Sequence, residues 1–131
     1  SGRRIPFLCH STDKVYGTNP VPFREAMVLK PSNIYEIAKV AQDQAAQYYG
    51  KAHGIPVVVV RCGNYVGGYD YNFTRIVPYA IRQNLLGEEI VLRSTGEFTR
   101  DFLYIEDAAD LNTFLLGRLF DGDDGLAGEA F

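Results

Sequence analysis

Tyr35 and Lys39 stand four residues apart in Tyr35-Glu36-Ile37-Ala38-Lys39. On a helix that spacing puts both side chains on one face, about a turn apart. An ammonium beside a phenol favours the phenolate. A tyrosine poised in this way can take a proton from a hydroxyl while a hydride leaves the same carbon. The spacing also arises by chance on helix surfaces, so the pair needs support from its surroundings. Ser11-Thr12-Asp13-Lys14-Val15-Tyr16-Gly17 offers a hydroxyl at Thr12, an acid at Asp13 and, at Lys14, a cation or a base. Arg61-Cys62-Gly63-Asn64-Tyr65-Val66-Gly67-Gly68 combines glycines that let backbone approach a ligand with an Asn64 amide that can donate to a phosphate oxygen. Arg93 and Arg100-Asp101 carry guanidinium groups suited to bidentate contact with a diphosphate.

The elements that must position these groups read as follows. Ile5–His10 is a short apolar run, expected as a buried strand that opens at Ser11-Thr12-Asp13. Thr18 to Pro31 holds three prolines and reads as a loop. Ser32 is placed to cap a helix running from Ile34 to Tyr49, with Ala38, Ala41, Ala45 and Ala46 as a small packing face and Gly50 or Gly54 at its end. Ile55-Pro56-Val57-Val58-Val59-Val60 is apolar without alternation, which argues burial on both faces of a parallel sheet. Strand, helix and apolar strand make a βαβ unit, whose ligands bind at the C-terminal ends of the strands. Farther on, Arg75–Leu86 reads as a helix ending at Gly87, Glu89–Arg93 and Asp101–Ile105 as strands, and Glu106–Phe120 as a helix with an acidic first turn. Asp121–Gly125 reads as a turn-rich loop, and the last residues as the start of a strand.

Composition narrows the partners. The chain has 131 residues, room for one domain, with 22% charged residues and a formal net charge of -3. No Lys/Arg stripe suggests nucleic acid, and no apolar run approaches the ~20 residues of a bilayer span. Nothing has metal-ligand spacing. Cys9 and Cys62 are too few for a disulfide scaffold and read as reduced thiols of a cytoplasmic protein. Residue 1 is Ser, and the chain is expected to be a fragment or an excised domain, with Ser1-Gly2 a cloning remnant.

Taken in order, S-T-D-K-V-Y-G, Y-x-x-x-K, R-C-G-N-Y-V-G-G and R-D-F-L-Y-I-E-D-A resemble the extended short-chain dehydrogenase/reductases, the NAD-dependent sugar-nucleotide epimerase/dehydratase family. The resemblance runs from about Phe7 to Phe131. It implies an α/β fold: the C-terminal part of a Rossmann-like parallel sheet over residues 1–70 and part of a small mixed α/β substrate-binding region over 71–131. It implies Tyr35 as catalytic base and Lys39 as its partner, also binding the nicotinamide ribose, with Cys62 beside the cofactor. By the same resemblance Thr12 touches the sugar, Asn64 the substrate diphosphate and Arg100 the nucleotide or diphosphate. Arg75 and Arg93 fall in substrate-binding segments.

Thr12-Asp13-Lys14 is most similar to CDP-glucose 4,6-dehydratases and their relatives. In that chemistry C4 is oxidised, water is lost across C5 and C6, and hydride returns to C6. By analogy Asp13 protonates the leaving 6-hydroxyl and Lys14 removes the C5 proton. A 4-epimerase or decarboxylase of the same family is the alternative within enzymes, and a catalytically dead binding or pairing module the alternative outside them. Two departures stand out. Ala38 occupies the position where the family usually has Ser, and the family's G-x-x-G-x-x-G turn does not precede these motifs here; that spacing occurs at Gly122, Gly125 and Gly128, in the acidic loop after the last helix, and not between a strand and a helix. The resemblance therefore implies tightly bound NAD and a homodimer for the complete enzyme, and weak NAD binding with no turnover for these residues alone.

Overall fold

The computed structural model describes residues 5–131. Strand β1 (Phe7–His10) pairs in parallel with β2 (Val57–Val60), in the register Phe7 to Val57 through His10 to Val60. Helix α1 (Ile34–His53) makes the crossover. The four valines of β2 are all buried, and they alternate between two hydrophobic clusters, as a strand's period of two demands. Val57 and Val59 pack with Cys9 and with Ala46 of α1. Val58 and Val60 pack on the opposite face with Leu115 and Leu119 of α3 (Ile105–Phe120). A helix on each face of a parallel sheet explains the unbroken apolar run: neither side of β2 meets water. Each such valine contributes about 1.5–3 kcal/mol of burial.

The far edge of β2 is occupied by the last residues of the chain. Ala130 bridges Val59 in parallel, and Arg61 N–H donates to the Phe131 carbonyl at 2.6 Å. This third segment passes so close to α1 that a Cβ on Gly50 would lie 2.4 Å from the Gly128 Cα. Gly50 therefore lies inside the helix as a contact point, and Gly54, with φ of 60°, ends it.

A second, smaller parallel pair joins β3 (Asn64–Val66) to β4 (Phe102–Tyr104), which runs directly into α3. Between them lies α2 (Ile76–Leu86), closed by Gly87 at φ 68°. The residues from Thr18 to Pro31 form neither helix nor strand, as their prolines require.

Four expectations need correction. Glu89–Arg93 is not a strand: two of its backbone groups bond to side chains of α2 instead, with the Tyr79 hydroxyl accepting from Val91 N–H at 3.1 Å and Gln83 donating to the Glu89 carbonyl at 3.3 Å. The cap of α1 is Asn33, whose Oδ1 accepts from Glu36 N–H at 3.0 Å. Ser32 instead donates its amide and hydroxyl to the Glu36 carboxylate, a reciprocal box that holds that carboxyl below its ordinary range. Of the four alanines only Ala46 is buried; Ala38, Ala41 and Ala45 face outward, because the sheet lies against the other side of the helix. Finally, β1 buries only Cys9 fully, since among the described residues no strand pairs with its outer edge.

Candidate active site

The ends of β1 and β2 are tied together. Ser11 N–H donates to the Val60 carbonyl at 2.8 Å and Asp13 N–H to the Cys62 carbonyl at 3.2 Å. Between them Thr12 caps a single 3-10 turn over Asp13–Tyr16. Its hydroxyl accepts from Lys14 N–H at 3.4 Å and donates to Asp13 Oδ1 at 3.0 Å. Thr12 is buried, so its side chain shapes the turn while Asp13 and Lys14 project beyond it. Gly17 ends the turn at φ 53°, with the Lys30 carbonyl in the space a side chain would need.

Beneath the turn lies a buried ion pair. Asp43 of α1 receives two hydrogen bonds from Arg61, each 2.8 Å, and a third from Gln47 at 2.6 Å. The remaining Arg61 nitrogen donates to the Tyr16 hydroxyl at 2.9 Å and to the Glu25 carbonyl at 3.1 Å. Burial pushes the Asp43 carboxyl up, but the hydrogen bonds and charge of Arg61, together with the neighbouring polar side chains, more than offset it and hold the group below the usual carboxylate range. The same partners hold Arg61 more firmly protonated. Tyr16 stacks on Phe23 with ring centres 5.0 Å apart. One ion pair thus joins α1, the end of β2, the 3-10 turn and the loop after it.

A cleft of about 570 Å³ opens over this platform. Thr12, Asp13 and Lys14 form one side, and Tyr35 and Lys39 of α1 another. Cys62 and Asn64 come from the end of β2 and the start of β3, and Arg75 and Arg100 from the far wall. Nine of the ten residues singled out in the sequence therefore share one cavity. Arg93 is the exception: it is exposed and does not line this cleft.

Tyr35 is half exposed, with its ring on the cleft wall. The Lys39 ammonium donates to the His10 carbonyl at 2.9 Å and to Gln42 Oε1 at 2.9 Å. Arg75 forms a 3.2 Å ion pair with Asp70. Arg100 lies 5.4 Å over the Phe98 ring and donates to the Thr99 carbonyl at 2.7 Å. The cationic groups Lys14, Lys39, Arg75 and Arg100 around one cavity suit an anionic ligand, and the phenol with its neighbouring ammonium suits proton transfer.

Several residues of the site were not evident from spacing. Asp43 stands four residues beyond Lys39, a signal that could have been read, but its partner Arg61 is eighteen residues away in sequence and only the fold joins them. His10, the last residue of β1, presents its ring to the Tyr65 hydroxyl at 3.5 Å and the Asn112 amide at 3.4 Å. Burial, and then the neighbouring Cys62, push the Tyr65 hydroxyl above its ordinary range, so it stands in the cleft as a neutral phenol. Among the described residues no cluster of His, Cys, Asp or Glu could hold a metal ion, and no helix is long and apolar enough to cross a membrane.

The chain has counterparts of known structure and sequence. The chain is 31% identical over 122 residues to dTDP-glucose 4,6-dehydratase 1 of Escherichia coli (strain K12), covering 83% of this chain and 34% of the relative. It spans about a third of the length of the curated relatives it matches. The solved dTDP-glucose 4,6-dehydratase from Bacillus anthracis str. Ames, in complex with NAD, superposes with a TM-score of 0.83 at 30% identity, over 96% of this chain and 39% of that one. A UDP-N-acetylglucosamine 4-epimerase from Methanobrevibacter ruminantium M1, in complex with UDP-N-acetylmuramic acid, gives 0.75 at 26% identity, over 84% and 37%. The two dehydratases are dTDP-glucose enzymes, where Thr12-Asp13-Lys14 predicts CDP-glucose-like relatives. The sequence profile of the NAD dependent epimerase/dehydratase family matches residues 2–127, and the chain belongs to that family.

Proposed function

We propose that this chain is the proton-transfer and substrate-gripping part of an NAD-dependent nucleotide-sugar 4,6-dehydratase. The observation that carries the reading is the gathering of Thr12, Asp13, Lys14, Tyr35, Lys39 and Asn64 around one cleft. The epimerase relative shares the overall fold, so the fold alone does not choose between the reactions. What favours dehydration is the acid and base pair Asp13 and Lys14, side by side on a turn whose shape Thr12 holds.

The residues at the ends of β1 and β2 suit the nicotinamide end of NAD: a half-exposed phenol, an ammonium with a donor to spare, and Cys62 on the cleft wall. When bound there, NAD supplies the group that accepts hydride from C4 and returns it at C6. The chain's own residues handle protons. Tyr35 takes the proton of the 4-hydroxyl, and Lys39 orients it and the ribose. Lys14 takes the C5 proton, and Asp13 protonates the 6-hydroxyl as the C6–O bond breaks. The C5 proton goes to Lys14, the proton of Asp13 leaves with the 6-hydroxyl as water, and Lys14 gives a proton back to C5 when hydride is returned at C6. Asn64, Arg75 and Arg100 hold the diphosphate and nucleotide. Arg93 reaches the nucleotide only from outside the cleft.

In this reading residues 1–70 supply the catalytic end of the cofactor domain and 71–131 the substrate side, with α3 returning to cover the sheet. The complete protein is a homodimer, and the exposed Ala38, Ala41 and Ala45 of α1 offer a flat face for a partner helix.

Product analysis of the complete protein with NAD and a panel of nucleotide sugars tests the function. A 4-keto-6-deoxy sugar is expected. A C4-inverted sugar would identify an epimerase, and no conversion of any sugar would identify a binding module. Loss of C5 hydrogen exchange in Lys14→Ala tests the base; exchange that persists removes Lys14 from that role.

A further inference from the structure

Lys39 is held in a way that the Tyr-x-x-x-Lys pattern does not require. An ammonium has three N–H donors and no acceptor. One donor reaches the His10 carbonyl at 2.9 Å and a second reaches Gln42 Oε1 at 2.9 Å. Because the ammonium can only donate, the orientation of the Gln42 amide is dictated: oxygen toward Lys39, nitrogen away from it. That nitrogen meets the Cys9 sulfur at 3.4 Å, across from α1 on β1. Cys9 is buried, so its sulfur accepts as a neutral thiol. Gln42 lies three residues after Lys39, on the same face of α1, and both its amide atoms are engaged.

We propose that Gln42 is a positioning residue for Lys39: anchored by Cys9, its side-chain oxygen and the His10 carbonyl fix the ammonium on two sides and leave one N–H for the cleft. That N–H points the cation's influence at Tyr35 and the sugar or ribose oxygen beside it. The inference rests on the functional reading above for its consequence, but the geometry it describes is independent of the substrate. Other charged and titratable groups near the ammonium are Tyr35 and Asp43 on α1, Cys9 and His10 on β1, and Asp13 and Lys14 on the 3-10 turn. Cys62, Tyr65, Asp70, Arg75 and Arg100 face it from across the cleft. Asp43 is locked on Arg61, and Arg75 is paired with Asp70, which leaves Gln42 as the neutral side chain in direct contact with the ammonium.

Two variants in the complete protein test this, and Gln42 is exposed enough for both to fold, which the thermal midpoint checks. Gln42→Leu removes the oxygen and the anchor together. It is expected to lower kcat about three- to tenfold with KM for the nucleotide sugar within about twofold. Gln42→Glu places a carboxylate against the ammonium, which offsets the positive charge felt by Tyr35. The acidic limb of the pH–kcat profile is then expected to move upward by about one unit. A loosely packed structural residue would not move that limb.

A readout without turnover accompanies the kinetics. Reductive methylation of Lys39, mapped by mass spectrometry, is expected to become several-fold faster in Gln42→Leu and to need higher pH in Gln42→Glu. Wild-type labelling and wild-type pH profiles in both variants would overturn the proposal. If the wild-type protein converts no nucleotide sugar, the functional reading falls while the labelling still decides this one.

Discussion

Lys39 and Asp43 are one turn apart on the same helix, and the fold treats them in opposite ways. Asp43 is 0% exposed, gripped by Arg61 through two 2.8 Å bonds and by Gln47. Lys39 opens onto the cleft and is held only by a carbonyl and an exposed amide. A buried charge held by three hydrogen bonds within the fold has nowhere to send a proton and serves to join segments. A charge with one free donor beside a half-exposed phenol can take part in chemistry. The lesson is that the helix supplies spacing alone, and the choice between frame and reagent is made by what packs against each side chain.

The contrast can be broken most forcefully at Tyr35. Tyr35→Phe keeps the ring and removes the reactive hydroxyl; turnover by the complete protein is expected to fall by about 10²–10⁴, while its thermal midpoint stays near wild type. Activity that survives would move the base elsewhere.

Asp43→Ala strands a buried guanidinium. It is expected to cost about 3–5 kcal/mol in denaturant unfolding, whereas Lys39→Ala is expected to cost under about 1 kcal/mol. Equal losses would erase the distinction drawn here.

The pH dependence sharpens it further. Asp43 is held below its unfolded value of about 3.9, so the unfolded chain binds the proton first as pH falls. Its contribution is complete above about pH 4 and is lost as pH drops through the folded value. Stability measured from pH 6 to pH 2 is expected to decline less steeply in Asp43→Asn than in wild type.

The smallest effect is expected at Arg93. Arg93→Ala, remote from the cleft, is expected to change KM for the nucleotide sugar less than about threefold, and Arg100→Ala about tenfold or more, since a lost charge-assisted bond is worth ~1.5–3 kcal/mol. Steady-state kinetics on both variants checks the order.

Much of the site was legible because its residues lie at the ends of elements that the sequence marks clearly. The valine run announced a strand with helices on both faces, and the prolines between Thr18 and Pro31 announced a loop. The failures have local causes. Glu89–Arg93 has the composition of a strand but finds its hydrogen bonds in Tyr79 and Gln83, side chains twelve and six residues away. Ser32 looked like the cap because Ser and Asn both serve, and only the backbone at Asn33, extended at φ -145°, chooses between neighbours.

By itself, the sequence determined the βαβ unit and the helix that carries Tyr35 and Lys39. These follow from short-range rules: periodicity, β-branching, caps and a four-residue spacing. The tertiary structure alone decided that Arg61 locks Asp43, that Cys9 reaches Gln42 across thirty-three residues, and that Arg93 stays outside the cleft. Those outcomes depend on which surfaces meet when the strands pair, and no local pattern encodes a meeting between segments so far apart in the chain.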